Sequence, residues 1–152
     1  MQIRVRLPLT IALLIGLLLA ASFFGIYRLQ QSLLVFEVQV AAANQHERLS
    51  ATMLSTFKTQ VQEWKNVLLR GGDEKQLERY WTSFSKTEQD VARLGRELLD
   101  DLPPGKARGL VEQFLQEHQK MGSGYRQGLQ AYKAAGFSSA AGDQAVSGMD
   151  RG

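Results

Sequence analysis

The sequence predicts an all-α fold, an N-terminal transmembrane helix continuing into an antiparallel helical bundle that is an incomplete four-helix bundle. Three observations predict it. An uncharged apolar run extends from Leu7 to Tyr27; neither Gly nor Pro occurs between Ile26 and Arg70; and apolar residues then recur at steps of three and four in stretches separated by Gly71-Gly72 and by Pro103-Pro104-Gly105. Such spacing draws one apolar stripe along a helix, whereas strands alternate with period two.

The anchor reads LPLTIALLIGLLLAASFFGIY over residues 7–27. As a helix it is about 31 Å long at 1.5 Å per residue, against a hydrocarbon core of about 30 Å. Leu7, Leu13, Leu18, Phe23 and Phe24 face lipid in this reading. Pro8 suits a first helical turn, where its absent N–H costs nothing, and Tyr27 suits an interface. Small residues at Ala20 and Ala21 also fit a cleaved signal peptide, but the apolar run outlasts a signal h-region, which favours an uncleaved anchor. Arg4 and Arg6 precede the span and only Arg28 closely follows it. The positive-inside bias therefore puts residues 1–6 in the cytoplasm and the bulk of the chain outside.

Arg4, Arg6 and Arg28 also account for the net charge of +3 in a chain of 152 residues. The remainder balances its bases and acids, which argues against a nucleic-acid partner. The chain has 0 Cys, which removes disulfides, thiolate metal sites and cysteine nucleophiles.

From residue 28 the first helix continues to Arg70, with Val35, Val38, Ala42, Leu49, Met53, Phe57, Val61, Trp64 and Leu68 as its stripe. A helix of that length requires lateral partners. Gly71-Gly72 end it by accepting the left-handed conformation, and Asp73 with Gln76 resembles a capping box. Leu77, Trp81, Phe84, Val91, Leu94, Leu98 and Leu102 mark the second helix, which Pro103-Pro104-Gly105 stops. Leu110, Phe114, His118, Met121, Tyr125, Gly128 and Tyr132 mark a third, from about Lys106 to Ala135. Residues 28–137 thus form the bundle, and 138–152 form a loop and the start of a fourth helix.

The run FKTQVQEWKNVLLRG over residues 57–71 resembles the sensory region of bacterial methyl-accepting chemotaxis proteins. Tyr80-Trp81-x-x-Phe84, His118-x-x-Met121-Gly122-x-x-Tyr125-x-x-Gly128-Leu129 and Gly142-Asp143-x-Ala145-Val146-x-Gly148-x-Asp150-Arg151 are similar to that family too. The resemblance implies a homodimeric receptor in the bacterial inner membrane whose periplasmic bundle meets a small-molecule ligand or a periplasmic binding protein. It also implies control of a histidine kinase and its coupling protein through C-terminal regions that this sequence does not include. A membrane-tethered coiled-coil adaptor and the sensor part of a histidine kinase are the alternative readings.

Candidate ligand contacts are few. Trp64, Tyr80 and Trp81 flank the Gly71-Gly72 turn with Lys65, Arg70 and Arg79 nearby, an arrangement that either holds a small carboxylate or only caps the core. His118 lies on the inner stripe, where it either meets a ligand or fixes register as a buried polar residue. Lys120, Arg126 and Lys133 read as the wet side of the third helix. Gly122, Gly124 and Gly128 either permit close helix approach or merely weaken their helix. No catalytic constellation, metal site or cofactor motif emerges, so the chain reads as a non-enzyme.

Overall fold

The computed structural model describes the backbone of residues 3–149, with side chains described at residue 11 and from residue 13 onward. It is all-α among the described residues: α1 (Ile3–Arg70), α2 (Glu74–Asp101), α3 (Lys106–Ala134) and α4 (Ser139–Ala145). The chain divides into two compact units, Met1–Asn44 and Gln45–Gly152.

The first unit is the N-terminal part of α1. Leu13, Leu18, Phe23, Phe24 and Tyr27 are all exposed there, as they are on a helix without protein neighbours. The Leu7 and Pro8 side chains lie outside the described residues. The Ser22 hydroxyl donates to the Leu18 carbonyl at 2.8 Å, so the one hydroxyl between Ile11 and Tyr27 is satisfied within the helix, as lipid would require. α1 is long and apolar enough to cross a membrane.

In the second unit, pairs of touching residues fix the direction of every helix. Gln45 meets Asp101 at 2.5 Å, Trp64 meets Phe84, and Arg70 meets Tyr80 at 3.2 Å. The numbers rise on α1 as they fall on α2, so the two are antiparallel. Phe57 touches Phe114, Gln60 touches His118 and Trp64 touches Tyr125, so α1 and α3 run the same way. Gly142 packs at Leu68 and Tyr132, Val146 at Trp64 and Gly128, and Met149 at Gly124. The chain from α4 onward therefore descends antiparallel to α3.

The core gathers where these helices meet. Trp64, Val67, Leu68, Leu77, Phe84, Met121, Tyr125, Leu129, Tyr132 and Val146 form it, and Val91, Leu94 and Leu98 bury the rest of α2. The predicted stripes agree with this except at their ends. Leu110 is 55% exposed because the start of α3 borders an open cleft that Phe57 of α1 and Met149 line but do not fill. Val35 and Val38 are exposed as well, being outside the second unit.

Local chemistry sets the boundaries. The Asp73 carboxylate accepts from the Gln76 N–H at 3.1 Å, an N-cap for α2. Arg108 donates to the Leu99 and Leu102 carbonyls at 2.5 and 3.2 Å, covering the end of α2. Gly136 and Phe137 both adopt positive φ, 67° and 64°, and the Phe137 N–H reaches the Tyr132 carbonyl at 2.9 Å, which closes α3 in a Schellman-type turn. The α1–α2 turn differs from expectation. Neither Gly71 nor Gly72 is left-handed; Gly71 is needed for room, since a Cβ there would collide with the Val67 carbonyl and the Leu77 side chain.

Candidate functional site

Three layers of side chains in the second unit hold the predicted contact residues other than Lys65. Beside the α1–α2 turn, Tyr80 sits between two guanidiniums. Arg70 donates to its hydroxyl at 3.2 Å, and the Arg70 and Arg79 carbons lie 5.9 and 5.6 Å from its ring centroid, within cation–π range. The phenol raises the Arg70 pKa. Neither guanidinium has a carboxylate ion-pair partner among the described residues. Two exposed cations on one aromatic can therefore take an anion without first breaking an ion pair. Lys65 is exposed on α1.

Trp64 does not join that cluster. It is 3% exposed and lies edge-on to Phe84 and Tyr125, at 6.3 and 5.1 Å, while Phe84 and Tyr125 are 5.0 Å apart. One aromatic from each long helix thus meets at the centre of the bundle. Trp81 is half-buried and stacks on Phe84 at 5.0 Å. The cluster expected from sequence divides accordingly, with Arg70 and Arg79 exposed, Tyr80 and Trp81 half-buried against the core, and Trp64 within it.

The third layer is polar and buried. His118 on α3 is 4% exposed and Gln60 on α1 is fully buried; His118 Nε2 and Gln60 Oε1 are 2.8 Å apart. Phe114 stacks on the imidazole at 5.8 Å and Phe57 meets it edge-on at 6.1 Å. Burial lowers the His118 pKa, opposed by the charge of Glu88. Gln60 Nε2 and Trp64 Nε1, one turn apart on α1, are buried donors without partners among the described residues.

His118 also lines two clefts. One, of about 640 Å³, opens between α1, α3 and the segment after α4, with Phe57, Leu110, Phe114, Met121 and Met149 on its walls. The other, of about 690 Å³, opens between α2 and α3 and contains Glu88, Arg96, Gln119 and Arg126. Here Arg126 grips Glu88 through two nitrogens at 3.0 and 2.6 Å, and its own pKa rises in response. Gly122 makes this possible, because a Cβ would occupy the position of the Glu88 carboxylate. Arg126 is therefore more than a solvated side chain; it joins α3 to α2.

Sequence reasoning missed Gln60, Glu88 and the role of Arg126. A signal existed for Gln60, since position 60 continues the 57-to-64 stripe by steps of three and four as well as position 61 does. Nothing in the sequence marks Glu88 as the one glutamate of α2 that crosses to α3.

Comparison with known proteins gives one informative result. Over 140 residues, 91% of its length, the chain is 40% identical to methyl-accepting chemotaxis protein CtpH of Pseudomonas aeruginosa, and it spans 23% of that receptor's length. No family model matches the chain, and no solved structure matches it. The resemblance read from the sequence is thereby borne out: the chain is related to part of a methyl-accepting chemotaxis protein.

Proposed function

We propose that this chain is the sensory part of a transmembrane chemotaxis receptor, with residues 7–27 in the bacterial inner membrane, the N-terminus in the cytoplasm and the bundle in the periplasm. The observation that carries this reading is the 40% identity along 91% of the chain to a receptor of that class. The apolar first part of α1 supports the anchor. A small ligand, or a periplasmic binding protein, would favour one packing of the long helices over another. Such coupling is typically about 1–3 kcal/mol, and α1 would carry it as a shift of one helix. Paired as a homodimer, the receptor would pass the shift to a histidine kinase and coupling protein through regions outside this chain.

The surface cluster of Arg70, Arg79 and Tyr80 is the first candidate contact for a small carboxylate, since a guanidinium can bind one through two nitrogens. Lys65 would add charge there.

The test is a chimera in which this chain replaces the matched stretch of the Pseudomonas receptor. Expected are membrane insertion and a kinase response to some member of a panel of small mono- and dicarboxylates, weakened by Arg70→Gln or Arg79→Gln. A chimera that reaches the membrane yet leaves the kinase indifferent to the whole panel and to periplasmic extract would refute the sensory role. Because the chain has 0 Cys, Ser50→Cys gives a single label site. Its reaction with an impermeant maleimide from the periplasmic side is expected, and protection would reverse the topology.

A further inference from the structure

The least expected chemistry in the bundle surrounds His118. It is the one described residue shared by the two clefts described above, and its partners come from three helices. From α1 come the Gln60 amide at 2.8 Å and the Phe57 ring, neither charged. From α2 come Glu88 and Arg96, which share the second cleft with it. From α3 itself come Arg126 in that cleft and Glu117 and Lys120 in the other. The segment after α4 adds Gly148 and Met149, both uncharged.

Neutral imidazole bonded to Gln60 through Nε2–H keeps Nδ1 as an acceptor. Adding a proton there creates a second donor, which requires an acceptor where water is scarce. Among the described residues Glu88 is the only carboxylate in the α2–α3 cleft, and Arg126 already holds it. Both clefts open to solvent, so a proton can reach the ring without the bundle having to open.

We infer that His118 is a proton-operated latch of the bundle: protonated, it draws the Glu88 carboxylate away from Arg126 and so exchanges an α2–α3 surface ion pair for one with the core. The proton comes from solvent through either cleft, binds Nδ1, and leaves Arg126 free in the α2–α3 cleft. This latch operates whether or not the receptor reading holds, since it needs no ligand and no kinase.

The chain has 2 His, so carbon-13 NMR of the full chain in lipid nanodiscs resolves His46 and His118 separately. His118 is expected to titrate below the ordinary histidine value of 6.5, and the Trp64 indole N–H resonance, one turn from Gln60, is expected to move with the same midpoint. Glu88→Gln should lower the His118 proton affinity at least about threefold, half a pH unit. Arg126→Gln should raise it by a similar factor, because the carboxylate is then unclaimed. Because the Glu88 charge acts on His118 with or without a latch, the deciding readout is the Arg126 guanidinium: its resonance is expected to change with the His118 midpoint, and an Arg126 that stays paired with Glu88 through that titration would overturn the latch. A His118 that stays neutral until the wild-type chain unfolds would overturn it too, and that titration requires no variant.

Discussion

His118 Nε2 lies 2.8 Å from Gln60 Oε1, a single hydrogen bond joining α3 to α1 beneath the layer formed by Trp64, Phe84 and Tyr125. The bond satisfies only half of the Gln60 amide, whose Nε2 is buried without a partner. The two ends of the bond are therefore unequal. His118→Leu leaves the whole amide unpaired and should cost about 2 kcal/mol, whereas Gln60→Leu replaces the orphaned amide donor with an orphaned His118 Nε2–H and should cost about 1 kcal/mol. The double variant should fall below the sum of the two, as contacting residues do. Urea unfolding of the full chain in micelles, followed by tryptophan fluorescence, measures all three.

The same burial gives stability a pH dependence of definite sign. The His118 pKa lies below its ordinary value of 6.5 in the folded chain, chiefly through desolvation. The unfolded chain thus takes up the proton first as pH falls. The stability due to neutral His118 is present above pH 6.5, declines below it, and is fully lost once pH passes beneath the folded value. Urea midpoints between pH 8 and pH 5 should fall in the wild type. His118→Gln should flatten that part of the profile, and an unchanged slope would remove His118 as its source.

Close approach at Gly128 is the third testable feature. A Cβ there would lie 2.7 Å from the Val146 side chain and 3.2 Å from the Trp64 ring, which resolves the two sequence readings of this glycine in favour of packing. Gly128→Ala should destabilise by about 1–3 kcal/mol through overpacking, despite the better helix propensity of alanine. Gly109, also within α3, has nothing within 4 Å of that position. Gly109→Ala should therefore stabilise by up to about 1 kcal/mol. If both alanines shift the thermal midpoint the same way, propensity and not contact governs the pair.

These contrasts show what the sequence made legible. Helix number, order and breaks were readable because Gly71-Gly72, Pro103-Pro104-Gly105 and Gly136 interrupt stripes that otherwise keep a helical period. A loop followed by the start of a fourth helix was the expectation for 138–152, whereas α4 begins at Ser139 and contains those small residues. Periodicity reports which face of a helix is wet, not what stands opposite it. Gln60 escaped because a buried amide resembles a surface one until its helix is oriented. Glu88 and Arg126 escaped because their pairing depends on the α2–α3 register and on the space left by Gly122. Trp64 was placed with the arginines of the turn because it is near them in sequence, yet its indole faces Phe84 and Tyr125.

The α1–α2 turn supplies the last prediction. Gly71 and Gly72 look interchangeable in sequence, and neither adopts a left-handed backbone. Gly71 is buried, with its N–H on the Val67 carbonyl at 2.9 Å. An added Cβ would strike that carbonyl and approach Leu77 Cδ1 at 2.9 Å. Backbone cannot yield as a flexible side-chain tip can, so Gly71→Ala should open the turn and cost about 1–3 kcal/mol. Gly72 is exposed with open space around it, and Gly72→Ala should change stability by less than about 0.5 kcal/mol. Hydrogen exchange at the Gln76 and Leu77 amides, which are bonded to Asp73, locates the effect: faster exchange in Gly71→Ala alone is expected. Equal exchange in both variants would mean that the turn is held by the Asp73 cap and not by the clearance at Gly71.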